Sequence, residues 1–432
     1  MTTPADRAGR PPTPYNVGLS RPFGVSPSSA LGPHVIRLET GSDAPVLLEV
    51  EPGTLVTEFR GPAGVAGPAV GDLVGRSLAA PAHGPPLEAH VVPGDRVSVA
   101  VAGTVPQNAH VLAAITASLT SARIAADAIT VLHGPALEPA AGGLPAASAE
   151  DVFDPSVESS TAYLAADQAA HPLHLARLLV DADVVVAVGQ WAWNAALGGR
   201  SLEGELWPTF ARLGCRRDLT VSLARRGRQA LPDWRTSMQE TTWQLGVCAS
   251  LRIVAGRGGT VHAACFGMPD EACRQARAAA AGWCPLVEEP AELAVVTLSD
   301  PQQGWPAITR AVAAAARVTR PDGTICIVCH EAVAPGVIFL RWRQGAPLER
   351  LVHEAVRTGD PLLVADAVQT RLFARGLGER RIVLLSRLDE GAVEELEFGF
   401  APGPEVIERL VDRSTTAVVL HEADLMFPQP HR

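Results

Sequence analysis

The fold is indicated most clearly by the stretch Asp181-Ala-Asp-Val-Val-Val-Ala-Val-Gly189, a nearly continuous apolar run that ends at a glycine. Valines crowd the middle of this run, which is typical of a strand, and the absence of polar alternation indicates that both faces are buried. Strands buried on both faces occur in parallel sheets that are covered by helices. We therefore predict a mainly parallel sheet built around this strand.

Strands and helices alternate on the N-terminal side of the run, as a covered parallel sheet requires. Residues 95–102 read Asp-Arg-Val-Ser-Val-Ala-Val-Ala, which predicts a strand, and residues 107–121 have the apolar spacing of a helix. A further strand is predicted at 128–132, and helices are predicted at 70–80 and 172–180. This part of the chain is therefore predicted to be α/β.

A second set of alternating elements follows, with a turn signal at Pro321-Asp-Gly323. Strands are predicted at 293–298, 324–328, 381–386 and 416–420, and helices at 271–282, 307–318, 348–356, 365–376 and 405–412. The fold class is accordingly α/β, with two domains and mainly parallel sheets. The predicted divisions are a flexible N-terminal arm over 1–45, a first domain over 46–268 and a second domain over 269–432.

The composition suits two globular cores and excludes several functions. Of the 432 residues, 47% are hydrophobic and 19% are charged, which provides enough apolar surface for cores. The net charge of −10 argues against a dedicated nucleic-acid surface. The 36 residues counted as Lys or Arg are all arginines, so the chain contains no lysine. This excludes a Schiff base, a P-loop lysine and a lysine-tethered cofactor.

Nothing in the sequence indicates export or membrane insertion. No run of about 18 apolar residues occurs, and residues 1–30 are rich in Pro, Ser and Gly without an apolar signal segment. The seven cysteines are scattered and odd in number, which favours reduced thiols over a disulfide framework. We therefore expect a cytoplasmic protein that contacts neither membrane nor nucleic acid, while its oligomeric state stays open.

Two short patterns have the spacing of haem or metal ligands, and each has a plainer explanation. Cys326-Ile-Val-Cys329-His330 matches a c-type haem site, but it lies in a predicted buried strand, where side chains three apart point to opposite faces. His171 and His174 are three residues apart at the start of a predicted helix, without a third ligand in view. We therefore expect no metal site.

The stretch from Gly189 to Ser201, Gly-Gln-Trp-Ala-Trp-Asn-Ala-Ala-Leu-Gly-Gly-Arg-Ser, is the strongest candidate for a binding site. It follows a predicted parallel strand, and ligands of α/β sheets bind beyond the carboxyl ends of the strands. The two glycines would let the backbone approach a ligand closely, and Arg200 would pair with a carboxylate or phosphate. Alternatively, Trp191 and Trp193 only pack between two domains, and both interpretations stay open.

Several blocks of sequence occur in an order that resembles a known family. These blocks are Gly75-Arg-Ser-Leu-Ala-Ala-Pro, Pro86-Leu-Glu-Ala-His-Val-Val-Pro-Gly-Asp-Arg-Val-Ser-Val, Gly198-Gly-Arg200, Leu293-Ala-Val-Val-Thr-Leu-Ser and Asp322-Gly-Thr-Ile. Together they resemble the LarA family, the nickel-pincer-nucleotide lactate racemases and their relatives. The resemblance extends over residues 50–425 and implies two α/β domains with a cleft between them.

The resemblance also implies a chemistry. Enzymes of this family hold a nickel-bearing pyridine nucleotide covalently on a lysine, and a histidine coordinates the nickel. Two further histidines act as general acid and base on a 2-hydroxy acid, whose hydride passes to the cofactor and returns to the opposite face. An arginine holds the substrate carboxylate.

The residues that carry this chemistry in the family are replaced in this chain. The family's Asp-x-Thr-Arg-Pro motif reads Ala102-Gly-Thr-Val-Pro106, so the carboxylate and the arginine are absent. The lysine of the Gly-Gly-x-Lys segment falls on Ser201, and the histidine upstream of it falls on Trp191. Because the chain has no lysine at all, the covalent tether is excluded under any alignment.

Two further family positions are replaced outside that segment. An ungapped match puts Glu138 at the family's loop histidine, with His133 a few residues earlier. A Gln-x-x-Lys pair of the second domain falls on Arg310 and Ala313. Glu138 and His133 are therefore the remaining candidates for acid/base catalysis, and Arg310 is a candidate for binding an anion.

The leading hypothesis is a LarA-like homologue that has lost racemase activity and binds a small anion, a hydroxy acid or a nucleotide, in the cleft. All but one of the candidate ligand-binding residues belong to the segment 189–201, and Arg310 is the exception. The full set is Trp191, Gly198, Gly199, Arg200, Ser201 and Arg310. No cofactor is expected, the alternative being a nickel-pincer nucleotide held without a covalent bond.

Two other functions stay open. One is a 2-hydroxy-acid racemase or epimerase with a rebuilt site, in which Glu138 acts as a base beside His133, because burial can bring a carboxyl pKa near neutrality. The other is a structural partner protein with a vestigial cleft. In that case Trp191, Trp193 and Trp207 would form an exposed interface patch.

Overall fold

The computed structural model describes residues 34–40, 44–51, 54–135, 148–166, 172–331 and 334–431. Its strands are β1 His34–Leu38, β2 Val46–Val50, β3 Leu55–Phe59, β4 Val97–Ala102, β5 Ile129–His133, β6 Ala149–Val152, β7 Thr161–Ala166, β8 Pro172–Ala176, β9 Val184–Gln190, β10 Trp193–Asn194, β11 Gly199–Arg200, β12 Ala249–Ala255, β13 Val261–Gly267, β14 Leu286–Val287, β15 Ala291–Thr297, β16 Thr319–Val328, β17 Arg381–Leu385, β18 Gly399–Phe400, β19 Thr416–Leu420 and β20 Gln429–Pro430. Its α-helices are α1 Pro68–Ala79, α2 Asn108–Ser121, α3 Arg177–Val180, α4 Leu206–Thr209, α5 Leu213–Arg226, α6 Leu231–Gln244, α7 Pro269–Ala279, α8 Trp305–Ala315, α9 Val337–Arg343, α10 Leu348–Thr358, α11 Pro361–Leu377, α12 Glu390–Glu395 and α13 Pro404–Arg413.

The first half of the molecule is built on a six-stranded sheet in the order β13-β12-β9-β4-β5-β6. All its neighbouring strands are parallel except β12 and β13. Every residue of β4 is buried, because its valines pack under α1 and α2 while Ala100 and Ala102 pack against Leu206 and Phe210 on the other face. The buried parallel strand predicted from the opening stretch is β9, and the α/β fold class is confirmed.

The second half is built on a six-stranded, fully parallel sheet in the order β18-β17-β16-β15-β19-β3. One face is covered by α8 and α11, and the other by α13 and the β1–β2 hairpin. Strand β3 and the hairpin come from residues 34–59, which the sequence analysis divided between an arm and the first domain. Apolar alternation places Ile36, Leu38 and Leu48 against this sheet, so this N-terminal segment joins the second half.

Two local predictions are wrong. The helix predicted at 172–180 is strand β8 followed by the single turn α3, because β8 pairs with β7 and buries Leu173 and Leu175 in alternation. The Pro321–Gly323 turn lies inside β16 instead of between elements. Ala291 pairs with Thr319 and Leu293 pairs with Thr324, so the extra residues between them bulge out of the ladder.

The two halves share one apolar core. Trp191 and Leu197 of the first half belong to the same buried cluster as Trp283, Leu298 and Trp305 of the second. This shared core holds the carboxyl ends of the first sheet against the second half, which positions the candidate site. Within the described ranges, no helix has the length and apolarity needed to cross a bilayer.

Candidate functional site

The strand order of the first sheet reverses between β4 and β9. From β4 the chain continues through α2 to β5 on one side, whereas β9 pairs with β12 on the other. Ligands of open α/β sheets bind at such a reversal, beyond the carboxyl ends of the strands. The candidate site therefore begins where β4 and β9 end.

The chain's own loop at 201–205 occupies this reversal point. An added Cβ on Gly189, which lies in β9, would overlap the carbonyl of Gly204, and one on Gly103 would lie 3.2 Å from the nitrogen of Gly204. Gly204 itself has a φ of +82°, which favours glycine. Three glycines thus let backbone pack directly on backbone where the fold would otherwise leave a crevice.

A buried ion-pair network fixes this loop. Arg252 of β12 donates from Nη2 to Oε2 of Glu205 over 2.8 Å, and it also donates to the carbonyl of Gly204. Oε1 of Glu205 pairs with the guanidinium of Arg200. The side chains of Arg252 and Glu205 are 4% and 8% exposed, whereas that of Arg200 is 32% exposed. Arg200 therefore lies at the solvent side of the network.

The β10–β11 hairpin presents Arg200 beside an exposed glycine turn. Asn194 ends β10, and its Oδ1 accepts a hydrogen bond from the Leu197 N–H over 3.0 Å, which closes the turn. Gly198 completes the turn with a φ of +77°. Arg228 donates to the carbonyls of the two alanines in the turn, over 2.7 and 2.8 Å, and so holds it in place.

Positive charge collects around this hairpin. Burial lowers the pKa of Arg200, and the nearby guanidinium groups of Arg252 and Arg235 act in the same direction, while a contact with Cys273 opposes them. Arg235 is exposed, and its Nη2 lies 3.5 Å from the position that a Cβ on Gly199 would take. In the described part of the chain, Arg235 has no carboxylate partner, so the single carboxylate of Glu205 faces several guanidinium groups.

Arg310 approaches the same loop from the second half. Its side chain is 9% exposed, and Nη1 lies 3.6 Å from Oε1 of Glu203. Nη2 donates to Oε1 of Gln303 over 2.5 Å and lies 3.6 Å from Oδ2 of Asp424, which is fully buried. Asp424 in turn accepts hydrogen bonds from the N–H and the hydroxyl of Ser299, both over 2.7 Å. Arg200 and Arg310 thus both approach the loop at 201–205. Arg200 pairs with Glu205 of this loop, and Arg310 lies near Glu203.

Ser201 is buried, and its hydroxyl is used within the loop. Its Oγ accepts a hydrogen bond from the Glu203 N–H over 3.1 Å, and its backbone N–H donates to the Ala192 carbonyl over 2.9 Å. Only 4% of the residue is exposed. Ser201, the position predicted from the sequence to match the family's lysine, therefore has a small side chain that closes a turn.

The tryptophans of the segment lie inside the molecule. The rings of Trp191 and Trp193 meet edge to face at 4.9 Å, and Trp193 stacks on Phe427 of the second half at 5.2 Å. The indole N–H of Trp193 donates to the Ala280 carbonyl over 3.0 Å. With Trp191 3% exposed and Trp207 5% exposed, the geometry corresponds to the alternative in which Trp191 and Trp193 pack between the halves.

Of the two candidate acid/base residues, only His133 lies among the residues that the structure describes. His133 ends β5, is fully buried, and its Nε2 lies 2.6 Å from Oε1 of Glu150 on the neighbouring strand β6. Glu138 lies outside the described residues, as does His171. His174 lies in β8, with its ring against the edge of Tyr163 at 5.8 Å.

The Cys-x-x-Cys-His string belongs to the core of the second half. Cys326 and Cys329 are both buried, in and directly after β16. Burial raises the pKa of the Cys326 thiol to about 12, which keeps it protonated and a poor metal ligand. Across the residues that the structure describes, no group of three or more His, Cys, Asp or Glu side chains is arranged to hold a metal ion.

Sequence analysis missed Arg252, Glu205 and Arg235. A signal for the first was present, because Arg252 is a lone charge in the otherwise apolar strand Ala249–Ala255. A charge buried in such a strand requires a partner of opposite sign. Arg235 lies on a polar helix face and carries no comparable signal.

Comparisons with known proteins define the class of fold. No protein-family model matches the chain, and no curated protein matches it. The chain is similar to the solved structure of the lactate racemase apoprotein from Thermoanaerobacterium thermosaccharolyticum, with a TM-score of 0.70, 15% identity, and coverage of 92% of this chain and 100% of that one. It is also similar to a structure of a protein from Thermotoga maritima, with a TM-score of 0.56, 11% identity, and coverage of 84% and 97%. The chain therefore has a LarA-like fold, as the resemblance implied.

Proposed function

We propose that this protein is a LarA-like homologue that has lost racemase chemistry and binds a small anion beside the β10–β11 hairpin, between its two halves. The observation that carries the proposal is the charge balance at the hairpin: Arg200 and Arg252 share the carboxylate of Glu205, and Arg235 adds a further exposed guanidinium. Such an excess of donors attracts carboxylates and phosphates.

The residues of this site do not fit a lysine-tethered nickel nucleotide. The sequence offers no lysine, and Ser201 at the matching position is buried with its hydroxyl engaged by the Glu203 N–H. The loop at 201–205 also fills the reversal point of the sheet with its own backbone. We therefore assign no step of a reaction to that cofactor.

The ligand class follows from the geometry of the donors. Arg200 is the partly exposed member of the network, and the exposed Gly198 and neighbouring Gly199 leave the backbone beside it open to approach. A guanidinium binds planar carboxylates and phosphates in a bidentate manner. A hydroxy acid or the phosphate of a nucleotide would meet both requirements.

The loss of racemase chemistry is tested by expressing the protein together with the cofactor-making proteins of the LarA family. Nickel content and the racemisation of lactate and malate are then measured on the purified protein. We expect neither stoichiometric nickel nor turnover. Nickel bound with turnover of either acid would overturn the proposal.

Anion binding is tested by calorimetric titration of the protein with lactate, malate, inorganic phosphate and AMP. We expect Arg235→Gln and Arg200→Gln each to weaken the bound anion by about tenfold, since each removes one charge-assisted contact. Arg357→Gln, which removes an exposed arginine of α10, is the control and should leave binding unchanged. No heat with any of the four anions, or equal weakening by the control, would contradict the proposal.

A further inference from the structure

A cavity lies in the first half of the molecule, beside helices α5 and α6. It has a volume of about 890 Å³ and is lined by β8, by α5 along its length and by the start of α6, with residues from before β7 at its edge. A cavity of about 650 Å³ adjoins it and shares Glu158, His174 and Arg212 with it. Small-molecule sites fall in the range of about 300–1,000 Å³, so the larger cavity has the size of one.

Two tryptophans form one wall of this cavity. Trp207 and Trp234 stack with ring centroids 4.7 Å apart and an angle of 22° between the rings. Trp207 is 5% exposed, and its indole N–H is buried without a hydrogen-bond partner among the described residues. A buried donor without a partner costs about 1–3 kcal/mol, so this N–H is an unmet polar group in the wall beside the cavity.

Among the charged side chains that line the cavity, one arginine and one aspartate make no ion pair with a described residue. Arg226 pairs with Asp233 over 2.8 Å, and Arg212 lies 3.6 Å from Glu158. The remaining charged pair, Arg217 and Asp218 of α5, lines the cavity without an ion pair or a hydrogen bond to any described side chain. The cavity is therefore close to neutral overall, with one free cation and one free anion at its wall.

We propose that this cavity binds a zwitterionic α-amino acid with a planar, aromatic side chain. The ligand carboxylate would pair with Arg217 and the ligand ammonium with Asp218, which are the two unused charges. The side chain would pack against the exposed part of Trp234. A ligand with only one charge would leave either Arg217 or Asp218 unpaired.

This site is independent of the function proposed for the hairpin. None of the residues that line the cavity is Arg200, Arg235, Glu205 or Arg252. The two proposals can therefore fail separately, and each has a variant that leaves the other site untouched.

The test compares four related compounds by calorimetric titration: L-phenylalanine, 3-phenylpropionate, phenethylamine and L-alanine. The first carries both charges and the ring, and each of the others lacks one of these three features. We expect L-phenylalanine to bind, and each of the others to bind about tenfold or more weakly, since each loses one ion pair or the aromatic contact. Equal binding of 3-phenylpropionate would show that the ammonium is not recognised and would overturn the proposal, as would the absence of binding by L-phenylalanine.

Variants of the two exposed charges separate the roles of the groups without disturbing the core. Arg217→Gln should weaken L-phenylalanine and 3-phenylpropionate alike by about tenfold and leave phenethylamine unchanged. Asp218→Asn should do the opposite, weakening L-phenylalanine and phenethylamine but not 3-phenylpropionate. Arg225→Gln, an exposed position of the same helix outside the cavity, is the matched control. If Arg225→Gln weakened L-phenylalanine as much as Arg217→Gln does, the proposal would be wrong.

Discussion

Arg310 of α8 and Glu203 of the loop before α4 come from different halves of the molecule, and their Nη1 and Oε1 atoms lie 3.6 Å apart. The two side chains differ greatly in environment, because Arg310 is 9% exposed and Glu203 is 71% exposed. On the inner side, Arg310 faces the fully buried Asp424. Its main electrostatic partner is therefore within its own half, and Glu203 adds a weak contact across the halves.

Replacing Arg310 should be far more costly than replacing Glu203. Arg310→Met leaves Asp424 buried without its cation, and we expect the free energy of unfolding to fall by about 3 kcal/mol. Glu203→Gln removes only an exposed pair, and the loss should stay below about 1 kcal/mol. Urea denaturation of both variants measures the difference, and similar losses would contradict the assigned asymmetry.

The Glu205 carboxylate should be a major contributor to stability. Glu205→Gln leaves Arg252, which is 4% exposed, without its anion, and the expected loss is about 3 kcal/mol in the free energy of unfolding. The matched control is Glu349→Gln, because the Glu349 carboxylate also pairs with an arginine but is 76% exposed. The control should lose less than about 1 kcal/mol in the same urea titration. A Glu205→Gln variant as stable as the control would show that the network is not closed as described.

Replacement by alanine should have opposite effects on stability at two glycines, one at the reversal point of the first sheet and one in α1. Gly189→Ala places a methyl group on the Gly204 carbonyl, so the loop must shift, and we expect a destabilisation of about 2 kcal/mol or more. Gly71→Ala lies in α1 with open space around the new methyl group, and the better helix propensity should stabilise by about 0.5–1 kcal/mol. Thermal unfolding of the two variants provides the comparison. A tolerated Gly189→Ala would mean that the crevice is open in solution.

The partly buried carboxyl of Glu422 should make the free energy of unfolding decrease as pH rises. Burial raises the pKa of its carboxyl from the ordinary 4.5 to about 7, the Gly258 N–H over 2.8 Å opposes the rise, and Asp424 adds to it. Between pH 4.5 and about pH 7 the Glu422 carboxyl keeps its proton in the folded protein but has lost it in the unfolded chain. The stabilisation that this proton provides therefore decreases as pH rises and is absent above about pH 7. Glu422→Gln keeps an acceptor for Gly258 but does not titrate. Its stability relative to the parent protein should therefore increase by about 3 kcal/mol from pH 4.5 to pH 8, measured by urea denaturation. A difference that stays constant with pH would contradict this.

The fold was predictable where local pattern and burial agree. The apolar runs that became β9, β15 and β19 predicted strands within a few residues, because strands buried on both faces need continuous apolar sequence. Strand β8 was mistaken for a helix, since its apolar residues fit both periods and only pairing with β7 decides between them. The place of β3 in the second sheet was not predictable, because a parallel partner so distant along the chain leaves no local trace.

The sequence indicated the segment that carries Arg200, but not the contacts that its side chains make. The glycines, Arg200 and the end of a parallel strand pointed to the edge of the sheet where Arg200, Glu205 and Arg252 lie together. The pairing of Arg200 with Glu205 depends on how a loop folds back on the sheet, which the periodicity of the sequence does not encode. For the same reason, nothing in the sequence indicated that Gly204 would fill the crevice.

The position of β3 has a consequence for how the protein is made. Leu55–Phe59 pairs with Thr416–Leu420, so the edge strand of the second sheet leaves the ribosome before every other strand of that sheet. During synthesis this segment cannot pair with β19 until the whole first half and the rest of the second sheet have emerged. The long-range pairing of β3 with β19 should therefore form late and slowly, because contacts between residues distant along the chain carry a high entropic cost.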